Sequence, residues 1–258
     1  MAVKEYEDWG ASMPHGVGAH FYPELDSTNA FAQALTCQGE RGPIWIAAGQ
    51  QVAGKARQGR NWVSKPGNLY CSLLFAPQIA PADIAPLPFI VSLAVRDTFI
   101  ALGVNPDVAQ CKWPNDVLLH EKKASGILIE SSASGNSIDY LIVGIGMNLA
   151  HYPDDAIFKA TSFTEVASKQ VDVRVALAIL AEKLKGRLDA WRLGDFEPIR
   201  AEWLSCAWGF GNKRLIRTAT ETFTGTLVDL NSQGAVNVIL DDGTEKTIYV
   251  ADIFPSCA

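Results

Sequence analysis

The sequence predicts an α+β chain: a large mixed-sheet domain over residues 1–208, then a small all-β barrel over 209–258. Three observations lead there. Short bulky or alternating runs recur between residues 20 and 147 and read as strands with few interposed helices. Leu177, Leu180, Leu184, Leu188 and Trp191 recur at three- and four-residue steps, the signature of an amphipathic helix over 173–193. After Gly209 the chain turns rich in Thr and Val, with turn clusters at 231–234 and 241–243 that mark hairpins at short spacing.

Each element follows in order. Residues 1–19 carry little pattern and read as a loose arm. His20–Leu25 is a strand, and Asp26, Ser27 and Thr28 can cap a helix whose apolar face is Ala30, Phe31, Ala34 and Leu35. Residues 43–51 are a bulky strand entering a polar loop rich in glycine and cations, and 68–75 are the next strand. Residues 86–102 are a mostly apolar helix with Gly103 as its C-cap. A short strand then ends in a Pro-Asn-Asp turn at 114–116, followed by a hairpin over 117–131 with a charged tip. Residues 139–150 are an apolar strand with glycines near its end, and 196–208 hold a short helix.

Composition narrows the function classes. The chain has 258 residues, 48% hydrophobic and 19% charged, enough for one large domain or two with a real core. No run of about 18 apolar residues is evident, so no membrane span is expected. The N-terminus lacks the apolar core of a signal peptide, so a cytoplasmic protein is expected. The five cysteines form no CxxC pair and read as buried free thiols, with no metal site. A net charge of −6 disfavours nucleic acid as a partner. Yet Lys55, Arg57 and Arg60 cluster, as do Lys112, Lys122 and Lys123, which suits a small anionic ligand.

Five motifs carry candidate chemistry. The loop Gly54-Lys55-Ala56-Arg57-Gln58-Gly59-Arg60-Asn61-Trp62 combines flexible backbone, three cations and a flat aromatic, which suits a phosphate chain and a purine. It is not a Walker A loop. Lys112-Trp113-Pro114-Asn115-Asp116 places a lysine and a carboxylate on either side of a rigid corner. In Lys123-Ala124-Ser125-Gly126-Ile127-Leu128-Ile129-Glu130, Lys123 opens an apolar strand and Gly126 leaves room for a ligand. Gly144-Ile145-Gly146-Met147-Asn148 could present an amide to a ribose or phosphate, and the hydroxyls of Asp26-Ser27-Thr28-Asn29 could bind an amide or ureido group. Taken singly, each is an ordinary loop, turn, hairpin, bulged strand or helix cap.

As an ordered set over residues 20–258, these motifs resemble the biotin protein ligase family. The resemblance implies a class II synthetase-like mixed-sheet catalytic domain followed by an SH3-like barrel. It implies ATP and Mg²⁺ as co-substrate and ion, biotin as substrate, and a biotin carboxyl carrier domain as partner. Ser27, Thr28, Asn29, Gln51, Gly54, Lys123 and Gly126 then correspond to biotin-binding positions. Lys55, Arg57, Arg60, Trp62, Lys112 and Asn148 correspond to the nucleotide side, and Lys123, Arg57 and Asp116 to the catalytic groups. The family loop has Arg and Gly where this chain has Lys55 and Ala56. Lysine keeps the charge without the planar fork, and alanine resists positive φ. The short N-terminal region leaves no room for a helix-turn-helix, so a ligase-only form is expected, as a monomer or weak homodimer. A lipoate or octanoate ligase on a related fold, and a non-catalytic biotin sensor, are the alternatives.

Overall fold

The computed structural model describes residues 5–154, 156–191 and 195–256. Its helices are α1 (Thr28–Thr36), α2 (Leu87–Ala101), α3 (Phe163–Ala167), α4 (Val173–Ala190) and α5 (Glu197–Ser205). The first strands are β1 (Glu7–Asp8), β2 (Gly18–Leu25), β3 (Ile44–Gln51), β4 (Leu69–Phe75), β5 (Ala109–Lys112), β6 (Asp116–Leu119), β7 (Lys122–Ser134) and β8 (Ser137–Met147). They form one eight-stranded sheet in the order β1-β2-β3-β4-β8-β7-β6-β5. Among the described strand pairs of this sheet β2 and β3 run parallel and the others antiparallel, so the sheet is mixed.

Both faces of this sheet are covered, which explains why its central strands read as bulky runs. On β3, Trp45 and Ala47 enter the core beneath α2 and α4, while Ile44, Ile46 and Ala48 pack with Leu25 and Ala32 on the α1 side. The α2 helix is apolar nearly all round because it is wrapped by protein: Leu87, Val91, Leu93, Ala94, Val95 and Phe99 are fully buried. Each such large side chain contributes about 1.5–3 kcal/mol on burial. Gly103 closes the helix at φ +100°, a conformation that a β-carbon would oppose.

The C-terminal strands β9 (Lys213–Arg217), β10 (Thr222–Leu230), β11 (Val236–Ile239), β12 (Glu245–Ile248) and β13 (Asp252–Pro255) form a five-stranded antiparallel sheet ordered β12-β11-β10-β9-β13. Its turns fall at the expected 231–234 and 241–243. Ile216, Leu227, Val236 and Ile253 share a core with Phe89, Leu93, Trp113 and Trp203, and Trp113 Nε1–H donates to Gly234 O at 2.9 Å. Residues on both sides of position 209 therefore build one interior.

Four expectations need correction. The described part of the arm, 5–19, is docked: β1 pairs with β2, and buried Trp9 stacks on Phe21 at 4.3 Å. Scattered apolar residues hid it from a periodicity search. The long helix ends at Ala190, and residues 192–194 lie outside the described set. The stretch Pro81–Ala101 does have the length and apolarity of a membrane span, but its most apolar part is mostly buried and it serves as the core helix. Among the cysteines, Cys71 and Cys111 are buried, Cys206 is half-buried and Cys37 is exposed at the C-cap of α1; Cys257 lies outside the described residues.

Candidate functional site

A cavity of about 310 Å³ opens where the C-terminal end of β3, the N-terminus of α1, the β5–β6 turn and the β7–β8 pair meet. Loop residues Lys55, Ala56, Arg57 and Arg60 to Val63, with Pro153, Ala156, Ile157, Phe158 and Ala160, line its other walls. Every candidate residue but one lines this space: Ser27, Thr28, Asn29, Gln51, Lys55, Arg57, Arg60, Trp62, Lys112, Asp116, Lys123, Gly126 and Asn148. The exception, Gly54, sits just behind the lining. Its carbonyl accepts the Trp62 N–H at 2.9 Å, and a β-carbon there would lie 2.5 Å from Trp62 O.

The floor is made by two glycines. Gly126 and Gly146 face each other across β7 and β8, and the Trp62 indole lies directly on them. A β-carbon at Gly126 would meet Trp62 Cζ3 at 2.7 Å, and one at Gly146 would meet Cε2 at 2.5 Å. Neither contact is tolerable, so the flat aromatic needs both residues bare. Trp62 Nε1 is buried without a partner, and Lys123 Nζ stands 5.4 Å over the ring.

One end of the cavity is polar and neutral. Ser27 caps α1, its Oγ accepting from Ala30 N–H. The Thr28 N–H donates to Gln51 Oε1 at 2.8 Å, and Gln51 Nε2 donates to Ser64 Oγ at 3.1 Å. Ser64 Oγ–H donates in turn to Trp62 O, so one hydroxyl joins the neutral end to the loop. Ser72, fully buried, contacts both Thr28 and Asn29.

The other end is charged. Lys123 Nζ lies 2.6 Å from Asp116 Oδ1 and Lys112 Nζ 3.8 Å from Asp116 Oδ2. The Arg57 guanidinium reaches Asn115 Oδ1 at 3.0 Å. Burial opposes the charged carboxylate of Asp116. Lys123, Lys112 and Arg57 outweigh burial and hold its pKa below the ordinary carboxylate value. Burial pulls the Lys112 ammonium below its ordinary value, with Asp116 opposing. Lys112 also faces the ring of Phe158 at 4.5 Å. Arg60 sits at the rim in an ion pair of 3.0 Å with Asp252 from β13. Asn148 is buried, its amide donating to Thr161 O at 3.1 Å and to Lys123 O at 3.4 Å. Arg57 and Lys123, 66 residues apart in sequence, thus face one shared space.

The loop accommodates its unusual residues. Ala56 takes φ −121°, an ordinary extended value, and the left-handed turn falls on Gln58 at φ 57° and Gly59 at φ 71°. Ala56 N–H closes the turn by donating to Arg60 O at 2.7 Å. Ser64, Ser72, Phe158 and Asp252 escaped sequence reasoning, because each is a single polar or aromatic residue that stands in no motif and gains its role only from the partners the fold brings to it. Asn68 escaped too. Its Oδ1 accepts the N–H groups of Leu149, Ala150 and His151, which pins the chain just beyond Asn148.

The family model for the biotin/lipoate A/B protein ligase family matches residues 22–148. The chain is 35% identical over 238 residues to a biotin–[acetyl-CoA-carboxylase] ligase of Paracoccus denitrificans, covering 89% of this chain and 97% of that protein. Its fold is similar to the biotin protein ligase of Aquifex aeolicus solved with biotin and ATP. The TM-score is 0.78 at 27% identity, over 92% of this chain and 99% of that one. It is also similar to the Leishmania major enzyme solved with biotinyl-5-AMP, with a TM-score of 0.63 at 26% identity, over 92% of this chain and 100% of that one.

Proposed function

The chain belongs to the biotin/lipoate A/B protein ligase family, and from that premise we propose that it is a cytoplasmic ATP-dependent biotin ligase. It forms biotinyl-5′-AMP and passes the biotinyl group to a lysine of a biotin carboxyl carrier domain. The observation that carries this reading is the cavity's polarity. A neutral hydrogen-bonding end at Thr28 and Gln51 and a cluster of Arg57, Lys112 and Lys123 line one cavity, with the Trp62 ring seated on Gly126 and Gly146 as its apolar part. A ring with amide-like edges, a hydrocarbon tail and a carboxylate meeting a phosphate would fit that order. The C-terminal sheet is read, on the same premise, as an SH3-like barrel.

In the first step the biotin carboxylate oxygen attacks the α-phosphorus of ATP and pyrophosphate leaves. Two anions must approach, so charge must be neutralised beforehand. Lys123 and Arg57 hold the carboxylate and α-phosphate, while Lys55 and Arg60 hold the outer phosphates from the loop. Asn148 and Lys112 complete the nucleotide side. Among the described residues no group of three or more His, Cys, Asp or Glu side chains could hold a metal. Asp116 and Asp252 are already engaged by cations. A magnesium ion would therefore be carried on the phosphates of ATP, where it supplies charge neutralisation. Trp62 and the loop cover the anhydride and exclude water.

In the second step the carrier lysine's amine attacks the biotinyl carbonyl and AMP leaves with the electrons of the broken C–O bond. Asp116 stays ionised near neutral pH and so suits the orienting of an incoming ammonium more than the taking of its proton; the nitrogen gives one proton to water before it attacks and a second as the amide forms. Lys123 stabilises the carbonyl oxygen and the departing phosphate.

The test is transfer of radiolabelled biotin to a purified carrier domain, with and without ATP. ATP-dependent labelling is expected. No labelling, together with ATP-dependent transfer of lipoate or octanoate, would overturn the substrate assignment in favour of the lipoate branch of the family.

A further inference from the structure

Away from the cavity, two cysteines far apart in sequence meet where the chain passes from the large sheet to the small one. Cys111 lies on β5 directly before Lys112, and Cys206 is the C-cap of α5, just ahead of β9. Their backbones are joined: the Cys111 N–H donates to Cys206 O at 2.9 Å, and the Cys111 carbonyl accepts the Trp208 N–H at 2.7 Å. Their side chains meet as well, the Cys111 thiol hydrogen-bonding to the Cys206 sulfur. A disulfide needs Cα atoms about 4.4–6.8 Å apart and side chains that converge. A direct N–H···O bond between the two residues suits the first condition, and the thiol contact supplies the second.

The two sulfurs are chemically unlike. Cys111 is sealed from water, and burial pushes its pKa well above the ordinary thiol value. Cys206 is half-buried. The hydrogen bond from Cys111 pulls its pKa below the ordinary value and the Arg96 cation adds to that, while burial and Glu202 oppose. Arg96 is fixed in place, its Nε–H donating to Ala109 O at 2.7 Å and its Nη2 to Pro106 O at 3.2 Å. Glu202 is itself engaged by Arg187 at 2.7 Å. The more accessible sulfur therefore holds the larger thiolate fraction, with a second thiol pressed against it. Attack by one thiol and resolution by its neighbour ask for that division of roles. Neither residue lines the cavity, and the proposed ligase chemistry uses neither.

We propose that Cys111 and Cys206 form a peroxide-reactive dithiol that closes reversibly to a disulfide beside Lys112. The Cys206 thiolate attacks one oxygen of hydrogen peroxide and the O–O bond breaks. The departing hydroxide takes up the proton the thiol had released, leaving water and a sulfenic acid on Cys206. The Cys111 sulfur then attacks the Cys206 sulfur, the S–O bond breaks, and hydroxide leaves with the Cys111 proton as a second water. Two thiols and one peroxide thus give one disulfide and two waters. A dithiol reductant restores both thiols by exchange. Contact between the sulfurs matters because it captures the sulfenic acid before a second peroxide oxidises it irreversibly. The link ties the strand end that carries Lys112 to the residues just before the C-terminal sheet. Trp208 there packs edge-on against Phe158 at 5.5 Å, and Phe158 faces Lys112 Nζ at 4.5 Å. This site stands whether or not the proposed function does.

The experiment uses the whole chain with Cys37→Ser and Cys257→Ser, which removes the exposed Cys37 and the terminal Cys257 as competing thiols. The folded protein is treated with hydrogen peroxide, quenched, unfolded in urea, alkylated, and followed by intact mass and peptide mapping. A mass lower by two hydrogens is expected, with Cys111 and Cys206 lost to alkylation together, Cys71 still alkylated, and full reversal by dithiothreitol. Adding Cys206→Ser should leave Cys111 in the thiol form. Adding Cys111→Ala should let Cys206 go on to the sulfinic acid, a gain of two oxygens that dithiothreitol does not reverse. Circular dichroism checks that each variant is folded, and Cys206→Ser, the half-buried position, carries the test alone if Cys111→Ala is not. Oxygen gain without hydrogen loss in the parent protein would overturn the proposal. So would thiols that stay unreacted, a link to Cys71, or a link that forms only when peroxide is added in urea.

Discussion

Replacing Asp116 with Asn tests whether the charged end of the site is built around one anion. The side chain keeps its shape and loses its charge, leaving Lys112, Lys123 and Arg57 facing one another. Lys112 decides the magnitude, because only 7% of its side chain is exposed against 26% for Lys123. At 3.8 Å from the carboxylate, the lost attraction is about 4 kcal/mol at an effective dielectric of ~20. Breaking buried ion pairs by removing one partner typically costs about 3–5 kcal/mol, so the two routes agree. The sign of the pH dependence follows from Lys112. Its folded pKa already lies below the ordinary value through burial, and losing Asp116 lowers it further. Between that lowered value and the unfolded one near 10.4, the unfolded chain holds a proton that the folded chain lacks. Stability of the variant must then rise with pH across this window, by at most about 1.4 kcal/mol per unit. Urea unfolding followed by tryptophan fluorescence at pH 7 and pH 9.5 measures both quantities. A large defect at pH 7 that narrows at pH 9.5 is expected. A defect under about 1 kcal/mol, equal at the two pH values, would refute the cage.

Three further outcomes are expected. Lys123→Ala should abolish biotin-dependent exchange of pyrophosphate into ATP while circular dichroism stays native; retained exchange would remove Lys123 from the first step. Gly146→Ala places a methyl group 2.5 Å from the Trp62 ring, so the indole must leave its floor. ATP affinity should fall at least tenfold with little loss of stability, since the loop is the part that gives way, and calorimetry with unchanged affinity would contradict the glycine platform. Trp9→Ala empties a buried stack on Phe21 and should lower unfolding free energy by about 3 kcal/mol while leaving 25 °C turnover intact. A shift below about 0.5 kcal/mol would mean the arm is undocked in solution.

What the sequence made visible and what it hid divide along a physical line. Strands β2 to β8, helices α1, α2, α4 and α5 and the two C-terminal turns announce themselves through local grammar: runs of bulky residues, 3.6-residue spacing, Gly103 after a helix, Asn and Asp with Gly at turns. The candidate residues with charge were equally visible, because Arg57, Lys112 and Lys123 stand in recognisable strings. Trp9 was not, since the ring it stacks on, Phe21, and the cation over it, Arg174, come from other segments of the chain. Gly126 and Gly146 looked like independent strand glycines; only their cross-strand pairing shows that they seat one indole. Glu130 stood in plain view within a motif, yet its partner Asn29 lies 101 residues earlier. Single polar residues paired across a sheet leave no periodic trace.

The charged end also accounts for how the site tolerates its own cations. Three positive groups in a half-closed cavity would repel each other and lose hydration, a cost of several kcal/mol for each buried ion. Asp116 offsets this by pairing with Lys123 at 2.6 Å and Lys112 at 3.8 Å. On the proposed chemistry that pairing has a second consequence. An incoming carboxylate and phosphate compete with Asp116 for Lys123, so formation of the adenylate draws the lysine away. Asp116 is left with one fewer cation just when a carrier ammonium must dock. On that chemistry the same carboxylate, still paired with Lys112, would be freer to meet the second substrate after the first step. On the proposed chemistry, an amine that arrives before the adenylate forms would meet an anion already paired with Lys123 and Lys112.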